Sequence, residues 1–246
     1  MIKGLYTSAL SLSVLERRQE ANTNNLANIN TPGYKKDVVV SGSFPDMLLY
    51  RLNDRDARGK TPKVGNISMG VQVAEIYTDH TKGIMRQSEN PSALAVSGEG
   101  YFTVNTPQGE RYTKNGDFSI DVNGRLVSTN GYPLLGQKGD IVVKDAAFQV
   151  DKEGRVYSAG EKVDSLKIVQ FTTPLIKEGA SLFKGNNPVD VLKPYITQGM
   201  VEESNVNAVT EMVNMIDVMR AYESSEKVIQ TIDGTLDKAV NDVGRV

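Results

Sequence analysis

The chain has 246 residues, a length that fits one large domain or two small ones. Its 28 basic and 30 acidic residues give a formal charge of −2, so no excess of positive charge favours binding to nucleic acid. Cysteine is absent and histidine occurs once, as His80. Disulfides, thiolate nucleophiles, cysteine-ligated metal clusters and multi-histidine metal sites are therefore excluded.

The start of the sequence has one feature of a secretory signal, a lysine followed by a short apolar run. Residues 5–15 are rich in serine and threonine, however, and lead into a charged segment without a small-residue cleavage pattern. We therefore expect this segment to remain in the mature protein. No apolar run reaches the roughly 18 residues of a membrane-spanning helix, so none is predicted.

Residues 3 to about 29 are predicted to form one amphipathic helix. The sequence Thr31-Pro32-Gly33 ends it, because proline disfavours a helical residue before it and glycine permits a turn. Apolar residues lie along one side of this helix, mostly at multiples of seven: Leu5, Leu12, Leu15 and Leu26.

Residues 203 to about 243 show a second and longer helical pattern, for which Ser204 or Asn205 is the predicted N-cap. One set of positions recurs every seven residues: Ala208, Met215, Tyr222, Ile229, Leu236 and Val243. A second set follows three residues after members of the first: Val218, Ser225, Ile232 and Ala239. We call these two sets the seam. A heptad pattern of this length indicates a helix with a long partner.

Two interpretations of the two helices fit this pattern. One is a pair of helices packed on a globular core, and the other is a coiled coil, within the chain or between subunits. The N-terminal helix is the shorter one and covers only part of the seam, which leaves a surplus for other copies. We therefore favour the coiled coil, and we expect the terminal helices to be loose in a monomer and to order on assembly.

The middle of the chain is predicted to be an antiparallel β domain that contains a repeat. FSIDVNGRLVS from residue 118 and FQVDKEGRVYS from residue 148 are offset by 30 residues, and each predicts a β-hairpin. Gly124 and Gly154 would supply the positive φ that each turn needs. The side chains expected to face inward are Phe118, Ile120 and Leu126 in the first copy, and Phe148, Val150 and Val156 in the second.

The sequence predicts no catalytic, cofactor-binding or metal-binding site. Asp121, Asn123 and Asp151 lie near the turns but lack the ligand spacing and terminal glutamate of a calcium loop. Residues 98–100, Gly-Glu-Gly, lack the frame of a phosphate-binding loop. His80 is predicted to be a surface residue at a strand end. We expect no enzyme activity, although a chain with this many acidic residues always offers a candidate pair for sugar hydrolysis.

The predicted fold class is α+β, with three parts. The terminal helical assembly domain comprises residues 1–36 and 200–246, and the central β domain comprises residues 70–199. Residues 37–69 are predicted to be a polar loop or linker. Its stretch 51–68 is rich in Arg, Asp and Gly and is interpreted as a mobile loop, with a basic contact to an acidic surface or membrane as the alternative.

Three stretches of the sequence resemble bacterial flagellar rod and hook proteins. The first is NLANINTPGYKK, residues 25–36. The second is NPSALAVSGEGYFTV from residue 90, followed by RYTKNGDFSIDVNGRLVSTNGYPLLG from residue 111. The third is QGMVEESNVNAVTEMVNMIDVMRAYESSEKVI, which ends at residue 229. Found together and in this order, they make the resemblance specific and extend it over most of the chain.

The resemblance implies a structural subunit of the flagellar basal-body rod, of the FlgF/FlgG type. Members of the family are exported unfolded by the flagellar type III apparatus and then assemble helically, with terminal helices inside and β domains outside. The implied location is the basal body, in the periplasmic or cell-wall zone. The implied partners are further copies, neighbouring rod or hook proteins and the export apparatus, with no nucleic acid, transmembrane segment or cofactor.

The chain length favours a rod subunit over the longer hook subunits, and the proximal FlgF type is preferred. The alternatives are a distal-rod or hook subunit or, in a different class, a monomeric carbohydrate-binding or adhesin-like β module.

The residues expected to pack the helices in the assembly are Leu5, Leu12, Leu15 and Leu26, with Met215, Tyr222, Ile229 and Leu236. Those expected to set the bend after the first helix are Asn25, Asn28, Pro32 and Gly33. There are two competing interpretations. Asn25 and Asn28 are ordinary surface amides in the first, and Tyr222 packs within its own chain in the second.

Overall fold

The computed structural model describes residues 2–50, 63–143 and 148–243. Helix α1 is Ile2–Ala27 and helix α2 is Ala208–Lys238, which continues into a π-helical turn at Ala239–Val243. Strands occupy much of the described sequence between the two helices. The mixed α+β class is thereby confirmed, with one helix towards each end and a β-rich centre. The coiled-coil core stays a prediction.

The strands are short and fall into three groups along the chain. The first group is β1 (Asp37–Ser43), β2 (Met47–Tyr50), β3 (Lys63–Ile67) and β4 (Val71–Thr78). The second is β5 (Met85–Gln87), β6 (Leu94–Ser97), β7 (Tyr101–Thr106), β8 (Gly109–Thr113), β9 (Phe118–Ile120) and β10 (Leu126–Ser128). The third is β11 (Gln149–Val150), β12 (Arg155–Ser158), β13 (Glu161–Ser165), β14 (Ile168–Gln170), β15 (Ile176–Glu178), β16 (Leu182–Lys184), β17 (Val189–Asp190), β18 (Tyr195–Gln198) and β19 (Met200–Glu202).

The chain divides into two compact units. The helical unit comprises the described residues of 1–26, 37–77 and 208–246, and the β unit comprises those of 27–36 and 78–207. This division differs from the predicted domains, because the segment 27–36 groups with the β unit and much of the predicted linker groups with the helices.

The predicted polar loop at 37–69 contains strands in both parts that the structure describes, residues 37–50 and 63–69. Strand β1 pairs with β4, and β2 pairs antiparallel with β3, with Met47 opposite Ile67. The β-branched run 38–40 explains β1, because three successive valines favour an extended backbone. Residues 51–62, most of the stretch interpreted as a mobile loop, lie outside the described residues.

Helix α2 begins at Ala208 rather than at 203, and neither predicted cap lies at its start. Residues 200–202, just before the predicted helix start, form β19, which pairs antiparallel with β5. The side chain of Asn205 is engaged elsewhere: its Oδ1 accepts from the backbone N–H of Lys36 at 2.9 Å, and its Nδ2 donates to the carbonyl of Asp79 at 2.8 Å. An amide held by two other segments cannot cap a helix.

The β unit is built on an antiparallel six-stranded sheet in the order β15-β16-β8-β7-β14-β17. Smaller antiparallel pairings join β9 to β10, β6 to β18, and β12 to both β11 and β13. The main core contains these buried side chains: Leu94, Val96, Phe102, Val104, Phe118, Leu126, Leu134, Ile141, Val143, Phe148, Val156, Leu166, Ile168 and Ile196.

Both predicted repeat hairpins are present. In the first, β9 pairs antiparallel with β10, and in the second β11 pairs with β12. Gly124 and Gly154 have φ of 75° and 80°, as the turns require. The side-chain oxygens of Asp121 and Asp151 accept from the next backbone N–H in each turn. Hairpin geometry therefore accounts for these two aspartates.

Candidate assembly site

A tight turn follows α1, where the sequence predicted a bend. The backbone N–H of Thr31 donates to the carbonyl of Asn28 at 3.1 Å, and the Thr31 hydroxyl lies 3.2 Å from Asn28 Oδ1. Pro32 and Gly33 complete the turn. Asn28 is half-buried, so it is not simply an exposed surface amide.

Gly33 holds this turn close to another segment of the β unit, residues 114–115. It has a φ of 68°, and an added Cβ would overlap the backbone atoms of Lys114 and Asn115. Its N–H donates to the carbonyl of Glu202 at 2.7 Å. Only glycine combines this backbone conformation with so close an approach.

Three buried charged residues lie beyond the turn: Lys35, Lys114 and Glu202, which we call the charged triad. Lys35 Nζ lies 2.5 Å from Glu202 Oε1, and Lys114 Nζ lies 3.6 Å from Glu202 Oε2. The side chain of Lys35 is 0% exposed and that of Glu202 is 2% exposed. Further hydrogen bonds complete the network: Lys35 Nζ donates to the carbonyl of Thr81, Lys114 Nζ to that of Gly98, and the N–H of Gly83 to Glu202 Oε1.

Burial and charge act in opposite directions on the triad. Burial lowers the pKa of Lys114 to about 8, although the carboxylate of Glu202 opposes this shift. Burial alone would raise the pKa of Glu202, but the charge of Lys114 and the hydrogen bonds from Lys35 and Gly83 bring it below its ordinary value. Glu202 is therefore ionised at neutral pH and holds both lysines in place.

Asn25 ties α1 to the start of β1 within the helical unit. Its Nδ2 donates to the carbonyl of Asp37 and its Oδ1 accepts from the Asp37 N–H, each at 2.9 Å. Asn25 is 2% exposed, so the surface-amide interpretation is wrong for this residue. Its side chain hydrogen-bonds to both the N–H and the C=O of Asp37, as the backbone of a neighbouring strand would.

Helices α1 and α2 run antiparallel beside each other in the helical unit. Gly4, near the start of α1, lies next to Ile232, whereas Thr23, near its end, lies 3.9 Å from the sulfur of Met215. Leu15 is buried, and Leu5, Leu12 and Leu26 are half-buried. Residues of the seam form the less exposed side of α2: Ala208, Met215, Val218, Ser225, Ile229, Ile232 and Leu236.

Two described seam residues depart from this pattern. Tyr222 is 42% exposed, and the neighbouring Ala221 is half-buried in its place. Ala239, in the π-helical turn, is exposed. The side chain of Val243 lies outside the described residues. The seam predicted from spacing thus exists as one side of α2, but an intrachain partner covers it only in part.

His80 is half-buried rather than a plain surface residue. Its Nδ1 lies 2.9 Å from the hydroxyl of Tyr101, and its ring centroid lies 5.4 Å from that of Phe183. Among the described residues no group of three or more His, Asp or Glu side chains is placed to hold a metal ion. No helix in the described ranges is long and apolar enough to cross a membrane.

Comparison with known proteins identifies the family. Residues 5–35 match the profile described as "Flagella basal body rod protein", residues 95–158 match "Flagellar hook protein FlgE/F/G D1 domain", and residues 197–242 match "Flagellar basal body rod FlgEFG protein C-terminal". The flagellar hook-basal body complex protein FlhO of Bacillus subtilis is 30% identical over 274 aligned positions, which cover both chains completely. The chain belongs to the flagellar basal-body rod protein family.

Two further relatives of this rod-family protein carry the FlgG and FlgF names. FlgG of Bacillus subtilis is 29% identical over 98% of this chain and 99% of its own, and FlgF of Rhizobium meliloti is 27% identical over 99% of each. The resemblance noted in the sequence is therefore confirmed: this is a structural rod protein of the FlgF/FlgG type.

The charged triad draws one residue from each of the three matched regions of the rod-family chain. Lys35 belongs to the first, Lys114 to the second and Glu202 to the third. Sequence reasoning missed these residues, because a buried charge has the same local sequence pattern as an exposed one. Their presence within the family stretches was the one available signal. The proposed helix-packing roles of the leucines and seam residues in the assembly stay predictions.

Proposed function

We propose that this rod-family chain assembles helically into the axial rod through its two terminal helices. The observation that carries the proposal is the surface of α2. Among the described residues of this helix only Glu211 and Val218 are buried. A helix that leaves a long apolar surface in water gains free energy when a further partner covers it.

The exposed apolar side chains of α2 support contacts between copies. They lie along most of its length: Val209, Met212, Val213, Ile216, Met219, Tyr222 and Val228. We propose that neighbouring subunits complete the seam as a coiled coil, and that Tyr222 contacts another copy rather than the core of its own. Leu5, Leu12, Leu15 and Leu26, with Met215, Ile229 and Leu236, are proposed to pack the same helical layer.

The remaining aspects of the proposal follow from the family. We propose export in an unfolded state by the flagellar type III apparatus, assembly in the periplasmic or cell-wall zone, and contact with neighbouring rod or hook proteins. The absence of cysteine suits an oxidising compartment. The role is structural, and we propose no catalytic activity and no cofactor.

The position of the subunit along the rod is a finer proposal. Relatives named FlgG and FlgF align over nearly the whole chain at similar identity, so identity alone does not separate the distal from the proximal type. We retain the proximal FlgF type as the proposal and a distal-rod or hook subunit as the alternative. The monomeric carbohydrate-binding alternative has no support among the matched families.

Electron microscopy of concentrated protein, alone and mixed with neighbouring rod proteins, tests assembly directly. Wild-type protein is expected to form filaments or tubes, and Ile229→Asp is expected to abolish them by placing a charge in the seam. Gln230→Asp is the matched control, because it adds the same charge at an adjacent exposed position. Near-UV circular dichroism of the β unit should be unchanged in both variants. Equal assembly of the two variants would contradict the proposal.

A further inference from the structure

A groove lies between α1 and α2 in the helical unit and has a volume of about 600 Å³. Its floor is apolar, with Leu15 and Val218 buried and Met219 and Tyr222 exposed. Three carboxylates line it: Glu16, Glu20 and Glu223. We call it the acidic groove. An apolar floor with carboxylates around it fits an apolar segment that carries a positive charge.

Part of this negative charge is unpaired. Glu20 forms an ion pair with Arg17, in which Glu20 Oε2 lies 2.8 Å from a guanidinium nitrogen. Glu16 and Glu223 form no ion pair within the part of the chain that the structure describes. The groove wall also contains Gln19 Oε1, a buried oxygen that accepts no hydrogen bond among the described residues. The exposed carboxylates of Glu16 and Glu223 therefore offer acceptors for an incoming cation.

A second apolar surface lies on α2, on the side away from the seam. Val209, Met212, Val213 and Ile216 occupy positions i, i+3, i+4 and i+7, which lie on one side of a helix, and they are between 44% and 67% exposed. Arg220 lies one turn beyond Ile216 on the same side, is exposed, and forms no ion pair among the described residues. We call these five residues the second α2 face. It combines the two features that the acidic groove fits, an apolar row and a guanidinium group.

We propose that the acidic groove of one copy binds the second α2 face of the next copy. This inference rests on the proposed helical assembly and names the two surfaces that join. Charge complementarity carries it, because Arg220 of one copy would meet Glu16 and Glu223 of the other while the apolar rows are covered.

The dimensions and symmetry of the two surfaces agree with this contact. The second α2 face runs from residue 209 to residue 220, 11 steps of about 1.5 Å or about 16 Å, and the α1 side of the groove runs from residue 15 to residue 24, 9 steps or about 14 Å. The groove and the face are different surfaces of one chain, so their contact is heterologous. A heterologous contact that does not close into a ring adds copies without limit, as a rod requires.

Charge reversal tests the contact in the full chain. Arg220→Glu and Glu223→Lys are each expected to raise the critical concentration for assembly about tenfold or more, because each brings like charges together. A 1:1 mixture of the two variants should recover assembly, since each chain then finds a complementary neighbour. Lys227→Glu, an exposed charge reversal two turns beyond Arg220, is the control and should assemble at a concentration close to that of wild type. Recovery in the mixture supports the proposal, and its absence overturns it.

Crosslinking gives a readout that does not require long filaments. The chain contains no cysteine, so two introduced thiols report one contact. Thr23→Cys in the groove, mixed with Val213→Cys on the face, should form a disulfide-linked dimer on mild oxidation. Asn214→Cys, next to Val213 but on another side of the helix, should give at least fivefold less dimer. Equal yields from the two mixtures would overturn the proposed contact.

The outcomes separate this inference from the proposed function. If wild type forms filaments and both charge-reversed variants assemble as it does, the groove contact is wrong and helical assembly stands. If neither filaments nor the specific crosslink form, assembly through the helices is wrong as well. If the charge-reversed variants lose only co-assembly with a neighbouring rod protein, the groove belongs to that protein and the self-contact is overturned.

Discussion

In the β unit, Phe102, Phe118 and Phe183 are fully buried, whereas only two described residues of α2 in the helical unit are buried. The β unit even encloses charged groups, since Glu202 and Lys35 are shielded from water and satisfied by each other and by backbone groups. The β unit thus has a buried core within a single copy. The helical unit keeps apolar surface that a single copy does not cover, and the predictions below test this contrast.

Glu202→Gln should produce the largest loss of stability in the β unit. It removes the negative charge that Lys35 and Lys114 share and leaves two buried ammonium groups without a counter-ion. Breaking a buried ion pair in this way costs about 3–5 kcal/mol of unfolding free energy. Urea unfolding followed by near-UV circular dichroism measures it, because Tyr101 and Tyr112 lie buried in this unit.

Glu203→Gln is the matched control for this prediction. Glu203 pairs with Arg86 at 2.6 Å, but both side chains are substantially exposed. An exposed pair contributes less than about 1 kcal/mol, so the loss should be small. Equal losses in the two variants would show that the charged triad does not stabilise the β unit.

The lowered pKa of Glu202 predicts that the β unit loses stability in acid. The pKa of Glu202 is lower in the folded protein than its ordinary 4.5, so the unfolded state binds a proton first as the pH falls. The stabilisation by Glu202 is therefore complete above pH 4.5 and is lost as the pH drops through its folded pKa. A pH series of unfolding free energies should show a steeper acid limb in wild type than in Glu202→Gln. Equal slopes of unfolding free energy against pH in the two proteins would contradict the lowered pKa of Glu202.

The sequence predicted the secondary-structure elements of this molecule better than the contacts between distant residues. Spacing alone located both helices and the two hairpins with Phe118 and Phe148, because burial on one side of an element produces a periodic pattern. It missed strand β1, and it placed Asn205 at a helix start although its side chain binds Lys36 and Asp79. It also missed the charged triad. Contacts between residues 35, 114 and 202 depend on the tertiary fold, and no local pattern encodes them.

Gly33→Ala should be the next largest effect in the β unit. The left-handed backbone costs a non-glycine residue about 1–2 kcal/mol, and the overlap with Lys114 and Asn115 adds about 1–3 kcal/mol. Gly131→Ala is the control, because Gly131 has a similar φ of 79° with no atom within 4 Å of an added Cβ. The difference between their unfolding free energies isolates the close contact. No difference would mean that the turn can move away.

Asn25→Ala tests the helical unit, where we expect a smaller effect. It removes the side-chain amide that bonds to the N–H and C=O of Asp37, at a cost of about 1–3 kcal/mol. Amide hydrogen exchange at Asp37 should accelerate, and it should stay near the wild-type rate in Asn22→Ala, which alters a half-buried amide three residues earlier on α1. An unchanged exchange rate at Asp37 in Asn25→Ala would show that the two bonds do not hold β1.

Gln19→Leu is the smallest expected change, and it has the opposite sign. The buried Oε1 of Gln19 has no hydrogen-bond partner among the described residues, so its desolvation is uncompensated. A leucine of similar size should raise the unfolding free energy of the helical unit by about 1 kcal/mol, measured from far-UV circular dichroism in urea. Gln19→Glu should lower it, because a carboxylate would be buried there beside Glu16 and Glu20. If both variants destabilise equally, Gln19 contributes through packing rather than through an unsatisfied oxygen. The stabilised Gln19→Leu variant would also show that this position is not optimised for the isolated chain, as expected of a groove that another copy covers.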